Sequence, residues 1–155
     1  MVGDVVQMAV EIGGGTFDSG AVLNWLANIV RTLRTEESAA CGPAGTFSTT
    51  EQIGTVEINP SSRLPHGGRP RRTLVFDASP GLSAVLAHHA LTEDVLKGLE
   101  DDDEISQAFA RALAEALVHH GRAAIGNFGV WTVGQKPNLQ RFIRFRSRPA
   151  INQML

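Results

Sequence analysis

Two long stretches of the chain repeat apolar residues at three- and four-residue steps, which predicts two amphipathic helices. Asp18 or Ser19 is the predicted N-cap of the first helix. The apolar face of the first helix consists of Val22, Leu26, Ile29, Val30 and Leu33. That of the second consists of Ile105, Phe109, Ala112, Leu113, Ala116 and Leu117. A shorter apolar helix is predicted over residues 2–12. The Gly13-Gly14-Gly15 triplet should end it, as a plain loop rather than as a phosphate site.

After each long helix the apolar period changes from 3.6 to 2, which predicts strands. Residues 41–50 and 123–133 each predict a hairpin with a tight turn. Gly45 and Gly129 are expected to provide a backbone conformation or a close packing that a side chain would block. Each half then ends with an apolar strand and a short helix: residues 73–76 and 82–86 in the first half, residues 142–145 and 151–155 in the second. The predicted fold class is therefore α+β.

The two halves repeat the same motifs with unequal spacing. Residues 42–47 match residues 126–131 at a shift of 84, whereas Phe76 and the residues after it match Phe145 and its followers at a shift of 69. The difference, 84 − 69 = 15 residues, falls between the two motifs. We therefore predict two tandem repeats, 1–87 and 88–155, with a long basic arm at about 48–75 and a truncated arm at about 132–141.

The basic residues are concentrated although the formal net charge is −2. Two windows without acidic residues hold nine of them: Arg63, Arg69, Arg71 and Arg72 between residues 59 and 76, and Lys136, Arg141, Arg144, Arg146 and Arg148 between residues 132 and 155. Each of these side chains could simply be a solvated surface residue. Together they indicate a positive surface on a protein that is negative overall.

The order helix, helix, glycine-containing hairpin, basic arm, returning strand and short helix resembles the HU/IHF family of bacterial histone-like proteins. The closest local matches are residues 125–131, which are similar to the family's Gly-Phe-Gly-Thr-Phe turn, and Asn59-Pro60, which is similar to the Asn-Pro near its arm tip. Ala44 departs from the pattern, since the family usually has Phe there. The resemblance implies a single-chain pseudodimer with a helical base and a β-sheet saddle. A domain-swapped or conventional dimer of whole chains, and further self-association, are left open.

This resemblance also implies a function. The chain would be an architectural, largely sequence-nonspecific protein of the nucleoid that bends or compacts double-stranded DNA. The basic arm would enter the minor groove, the saddle would contact phosphates, and the nine basic residues would make these contacts. Pro60 would be the DNA-intercalating wedge, although a proline also simply shapes a turn. The alternative is an HU-fold protein-interaction or scaffold module that has lost DNA binding.

Other chemistry has little support in the sequence. We expect no enzyme activity, cofactor, metal site or membrane partner, and a cytoplasmic location. Cys41 is predicted to be a buried thiol, while His88-His89 and His119-His120 are predicted to lie at helix ends. The acidic run 100–104 favours helix capping over metal binding. Phe47 and Trp131 occupy matched positions, where a core role is favoured over base stacking.

Overall fold

The fold is mixed α and β, as predicted. The computed structural model describes residues 4–52 and 71–155, which form six α-helices and two three-stranded antiparallel sheets. The helices are α1 Val5–Gly13, α2 Ser19–Leu33, α3 Pro80–His88, α4 Glu93–Leu96, α5 Glu104–His120 and α6 Pro149–Asn152. The strands are β1 Ser38–Ala40, β2 Gly45–Gln52, β3 Arg71–Ala78, β4 Arg122–Ile125, β5 Gly129–Gln135 and β6 Arg141–Ser147. Short 3-10 helices occupy Gly42–Ala44 and Lys97–Leu99.

The two long helices begin at acidic caps. Asp18 accepts a hydrogen bond from the backbone N–H of Ala21 at 2.9 Å, and Asp103 accepts one from that of Ser106 at 3.2 Å. These side chains satisfy backbone donors that have no partner within the helix. The predicted apolar face of α2 is fully buried, and that of α5 is buried except for the half-buried Ile105. The capping role of the acidic run is confirmed.

Most element boundaries lie within a few residues of the predictions. Helix α1 begins at Val5 and ends where Gly14 takes a left-handed conformation, with φ of 61°. Strands β3 and β6 extend beyond the predicted 73–76 and 142–145 because backbone pairing continues past the apolar residues. Helix α6 is shorter than predicted and ends at Asn152. The segment with α4 was not predicted, since four residues are too few for a helical period to be recognised.

The two sheets have the same strand register. The order is β1-β2-β3 in the first sheet and β4-β5-β6 in the second. Ser38 pairs with Ser48 as Arg122 pairs with Thr132, which follows the shift of 84. The pair Phe47 and Phe76 corresponds to Trp131 and Phe145, which combines the shifts of 84 and 69. Residues matched by the two sequence offsets therefore occupy corresponding positions in the two sheets.

Aromatic side chains from both halves meet in one core. The ring centroids of Phe47 and Phe145 lie 5.7 Å apart, and those of Phe76 and Trp131 lie 5.8 Å apart. Phe47 and Trp131 have no exposed surface, which confirms the core interpretation and leaves neither ring free to stack on a base. Each such aromatic pair adds about 0.5–1.5 kcal/mol beyond the burial of apolar area. One hydrophobic core thus joins the two halves of the chain.

Further contacts join the halves at their edges. Helix α1 packs against α5, and the edge strands β3 and β6 lie side by side. The side-chain oxygen of Asn152 in α6 accepts hydrogen bonds from the backbone N–H of Leu74 at 3.2 Å and from the hydroxyl of Ser147 at 2.8 Å. The guanidinium of Arg34, after α2, donates to the carbonyl of Met154 at 2.7 Å.

Two matched glycines allow strands to approach closely. A Cβ atom at Gly45 would collide with the backbone carbonyl oxygen of Asp77, and one at Gly129 would lie 2.5 Å from the ring of Phe145. Both glycines are buried at the start of the central strand of their sheet. The prediction that a side chain would block the packing at these positions is confirmed.

The two arms differ in what the structure describes. In the first half, pairing of β2 with β3 continues to Gln52 and Arg71, and most of the predicted arm lies between them, outside the described residues. In the second half, residues 136–140 form a short turn in which the N–H of Lys136 donates to the carbonyl of Gln140 at 2.9 Å. The predicted short second turn is confirmed.

Candidate nucleic-acid interface

The second sheet has an apolar inner face and a basic outer face. Side chains alternate between the faces of a strand. Ala123, Ile125, Trp131 and Phe145 point inward, and all but the half-buried Phe145 are buried. The alternate positions form the outer face, where Arg122, Arg144 and Arg146 are exposed. We call these three residues the arginine group.

The pairing register brings the arginine group together. Arg122 pairs with Thr132, which pairs with Arg144, so the two arginines end one row across all three strands. Arg146 lies in the next outer row, opposite Val130. Typical sheet spacings place Arg122 about 10 Å from Arg144, and Arg144 about 7 Å from Arg146, measured between Cα atoms. Three positive charges therefore lie on one small patch.

The three strands contribute no acidic residue to this outer face, although Asp4 pairs with Ala124 at the free edge of β4. The Asp4 carboxylate accepts hydrogen bonds from the backbone N–H groups of Val6 and Gln7 at the start of α1. Besides the three arginines, the outer face of the sheet consists of Ala124, Val130, Thr132, Gly134 and Phe142.

No acidic residue follows Glu115 in the sequence. The two ion pairs found among residues 4–52 and 71–155 involve Arg72 and Lys97 instead. Among the described residues, the three guanidinium groups of the outer face therefore form no ion pair.

Phe142 holds one member of the group in position. The guanidinium carbon of Arg144 lies 5.1 Å from the centre of the Phe142 ring, and both residues belong to the outer face of β6. A cation–π contact at an exposed site contributes about 0.5–1 kcal/mol. It restricts the Arg144 side chain while leaving its N–H donors available.

Lys136 and Arg148 lie at opposite ends of strand β6. Lys136 is exposed in the turn before the strand, and Arg148 is exposed at the N-cap of α6 after it. The backbone N–H of Arg148 donates to the carbonyl of Phe128 at 3.0 Å, which fixes the backbone there. These two predicted residues extend the charged region along β6 in both directions.

Arg72 and Arg141 point to the inner side of their sheets and do not join the arginine group. They match each other at the shift of 69, since 72 + 69 = 141. Arg72 pairs with Glu51, at 3.5 Å between Nε and Oε1, and donates to the carbonyl of Arg34 at 3.5 Å. Arg141 donates to the carbonyl of Leu86 at 3.5 Å.

The carbonyl that accepts from Arg72 lies at the C-terminus of α2, and the carbonyl that accepts from Arg141 lies in the last turn of α3. The helix dipole favours a positive charge at both places. This geometry gives both arginines a structural role at the base of each arm. Their predicted DNA contacts stay predictions.

The remaining predicted arm residues are described only in part. Arg71 is described by its backbone pairing with Gln52. Pro60, Arg63 and Arg69 lie outside the described residues.

The first sheet has a different outer face. Its members are Ser38, Ala40, Thr46, Ser48, Thr50, Thr73, Val75 and Asp77, and the last pair in its register is Gln52 with Arg71. The two offsets match Ser38 to Arg122, Val75 to Arg144 and Asp77 to Arg146. A hydroxyl, an apolar and an acidic side chain thus replace the three arginines. The positive patch belongs to one sheet.

Sequence reasoning missed Arg122 because the second basic window was drawn from residue 132. Two signals in the sequence could have found it. The acid-free region extends back to residue 116, and the shift of 84 places Arg122 on the strand before the hairpin turn. Its position opposite Thr132 then puts it in the same row as Arg144.

Cys41 and the two histidine pairs lie where the sequence predicts them. Cys41 is fully buried, and this burial raises the pKa of its thiol, which confirms the buried-thiol prediction. His119 and His120 end α5, while His88 and His89 end α3, as predicted. Within the described parts of the chain, no three metal-ligating side chains cluster. Across the same residues, no helix is long and apolar enough to cross a bilayer.

Comparison with known proteins finds no match to a family model, a curated protein or a solved structure.

Proposed function

We propose that this chain binds double-stranded DNA with little sequence preference, as a single-chain pseudodimer of two HU/IHF-like repeats. The observation that supports this most is the arginine group, three exposed guanidinium groups on the outer face of one sheet that form no ion pair among the described residues. Lys136 and Arg148 extend the same region. In this proposal the β4-β5-β6 face lies against the sugar-phosphate backbone.

Phosphate is the ligand that suits such a face. A guanidinium carries five N–H donors in a fixed geometry that matches phosphate oxygens. Contacts to phosphates fix the position of a duplex without reading its sequence, so little base preference is expected. Each neutralised phosphate releases bound counterions, which makes the affinity fall steeply with salt.

The pseudodimer part of the proposal is supported by the shared core. Matched positions of the two sheets contact each other across the halves: the ring centroids of Phe47 and Trp131 lie 6.4 Å apart, and those of Phe76 and Phe145 lie 6.2 Å apart. Trp25 and Phe109, which the shift of 84 also matches, lie 5.0 Å apart between ring centroids. Two matched helices and two matched sheets within one chain supply what two subunits supply in the resembling family.

The arm is the second part of the proposed mechanism. Arg63, Arg69 and Arg71 would contact phosphates or enter the minor groove, and Pro60 would partly unstack one base step. Unstacking costs on the order of a few kcal/mol per step, which the added contacts to bent DNA must offset. Because only the first half has a long arm, one bend is expected instead of a symmetric pair.

A pair of matched variants tests the proposed face. Arg144→Gln with Arg146→Gln removes two charges from it, and Arg31→Gln with Lys97→Gln removes two exposed charges elsewhere. Both variants have a formal net charge of −2 − 2 = −4. The affinity of each for a random-sequence duplex is measured by fluorescence anisotropy over a range of salt concentrations.

Loss of two phosphate contacts should make the slope of log affinity against log salt shallower by about 1.8 for the first variant only. Equal slopes for the two variants would remove this face from the proposed site. Wild-type protein without salt-sensitive DNA binding at low salt would contradict the whole proposal.

One observation favours the alternative, an interaction module that has lost DNA binding. The first sheet carries Asp77 and Val75 at the positions matched to Arg146 and Arg144, so its outer face would repel or ignore phosphate. Under this alternative the Arg144 and Arg146 variant would bind a protein partner less well and would leave DNA binding undetectable in both proteins.

A further inference from the structure

A cleft lies between the end of β3 with α3 on one side and the start of β6 on the other. Its volume is about 760 Å³, and its lining is mainly apolar, with Phe76, Leu86, Leu139 and Ile143 as the large aliphatic and aromatic members besides Phe142. Ligand-binding clefts commonly have volumes of about 300–1,000 Å³. Leu139 has 74% of its surface exposed, the highest value for a large apolar side chain among the described residues. Such exposure is unfavourable unless a partner covers it.

A smaller cleft, of about 400 Å³, occupies the matched position in the other half of the chain. Ser83 and Ile143 line the larger cleft, and the shift of 69 matches them to Asn152 and Leu74, which line the smaller one. The two clefts are therefore counterparts. We call the larger one the open cleft and the smaller one the capped cleft.

The two clefts differ in one hydrogen bond to a strand edge. In the capped cleft, Oδ1 of Asn152 accepts from the backbone N–H of Leu74 at 3.2 Å, at the free edge of β3. In the open cleft the matched side chain is that of Ser83, which is shorter and exposed. Among the described residues, no side chain accepts from the backbone N–H of Ile143. The open cleft thus has no counterpart of the Asn152 acceptor.

The backbone of β6 directs hydrogen-bonding groups into the open cleft. In an antiparallel strand, alternate residues bond to the neighbouring strand and the others face away from it. Because Lys136 donates to the carbonyl of Gln140, the next residue of β6 that bonds to β5 is Phe142. The N–H and C=O groups of Arg141 and Ile143 therefore face the opposite edge. That edge is free, since β3 belongs to the other sheet.

We propose that the open cleft binds an extended peptide segment of a partner protein, which adds a strand to the edge of β6. A carbonyl of the peptide would accept from Ile143 as Oδ1 of Asn152 accepts from Leu74. Strand addition takes affinity from main-chain hydrogen bonds and specificity from alternate side chains. From Leu139 to Ile143 the edge extends about 13 Å at about 3.3 Å per residue, so about four peptide residues span it. This site is independent of the proposed DNA binding.

The charges around the open cleft favour an acidic peptide. Arg141 lines the cleft, and Lys136 lies in the turn before β6. Arg144 lies over the ring of Phe142, which also belongs to the lining. Asp77 is the one acidic side chain among the described residues that line the cleft. Positive charge therefore exceeds negative charge there, and the peptide should combine apolar side chains with at least one Asp or Glu.

The test begins with a phage-displayed library of random octapeptides, selected on the full chain. A synthetic, labelled copy of an enriched peptide is then titrated by fluorescence anisotropy. Ser83→Asn supplies the carboxamide of the capped cleft, and Ala87→Leu fills the open cleft from an exposed position of its lining. His88→Asn, exposed on the same helix and outside the lining, is the control. Thermal unfolding checks that each variant folds.

Selection should enrich peptides with apolar residues and an Asp or Glu. Wild-type protein and His88→Asn should bind the synthetic peptide equally, whereas Ser83→Asn and Ala87→Leu should bind it about tenfold more weakly or worse. By NMR, the peptide should slow amide exchange at Ile143 more than at Leu74, which Asn152 already bonds. N-methylation of the peptide should weaken binding at alternate residues only, because only those residues bond to the edge.

Three results would overturn the proposal: no enriched peptide, a peptide that binds Ser83→Asn and Ala87→Leu as tightly as wild-type protein, or tolerance of N-methylation at every position. Self-association of the chain that Ser83→Asn abolishes would assign the cleft to a second copy and would also overturn it. None of these measurements uses DNA. Failure of the peptide site would therefore leave the proposed function intact, and failure of DNA binding would leave the peptide site intact.

Discussion

The outer faces of the two sheets differ, whereas their inner faces correspond. Inside, Phe47 and Phe76 match Trp131 and Phe145, and each pair lies opposite in the strand register. Outside, Ser38, Val75 and Asp77 occupy the positions of Arg122, Arg144 and Arg146. The inner positions are constrained by packing because one shared core depends on them. The outer positions leave the fold unchanged, so the two halves can differ there in charge and in function.

Removing matched inner side chains should have the largest effect. Phe47→Ala and Trp131→Ala should each lower the free energy of unfolding by about 3–5 kcal/mol, because each leaves a cavity in the core. Arg146→Gln, an outer-face control, should change it by less than about 0.5 kcal/mol. Urea unfolding followed by circular dichroism measures all three.

The number of unfolding transitions also matters. Because Phe47 and Trp131 contribute to one core, each variant should shift a single cooperative transition. Two transitions, of which each variant shifts only one, would contradict the shared core.

The inner faces were largely predictable from the sequence, for a physical reason. Burial requires apolar residues at the period of the element, so the spacing of apolar residues predicted the buried faces of α2 and α5. The close approach at Gly45 and Gly129 was also visible, because few residues other than glycine allow it.

The outer faces and the arm bases were less predictable. Arg72 occurs in a basic window, yet its partner carbonyl at Arg34 is 38 residues away in the sequence. Arg122 joins Arg144 only through the pairing of three strands. A charge window identifies basic residues but does not distinguish the two faces of a strand, and contacts between distant elements are set by tertiary packing.

Giving the first sheet two of the arginines of the second should have a smaller effect than the core variants, and it should change DNA binding instead of stability. Val75→Arg with Asp77→Arg copies two members of the arginine group onto the first sheet and changes the formal net charge to −2 + 1 + 2 = +1. If both new arginines contact phosphates, the salt slope should steepen by about 1.8. Anisotropy titrations at several salt concentrations measure this change.

A matched control separates local contacts from general charge. Glu11→Arg with Asn24→Arg produces the same net charge at exposed positions on α1 and α2. It should raise affinity through long-range attraction with little change in slope. If it steepens the slope as much as the outer-face variant, then net charge, and not the face that carries it, governs binding.

The most direct test of the account is the salt dependence of DNA binding after removal of the whole arginine group. For Arg122→Gln, Arg144→Gln and Arg146→Gln combined, the slope of log affinity against log salt should become shallower than that of wild-type protein by about 2.7. An unchanged slope in this folded triple variant would contradict the claim that the outer face of β4-β5-β6 holds the phosphates of DNA.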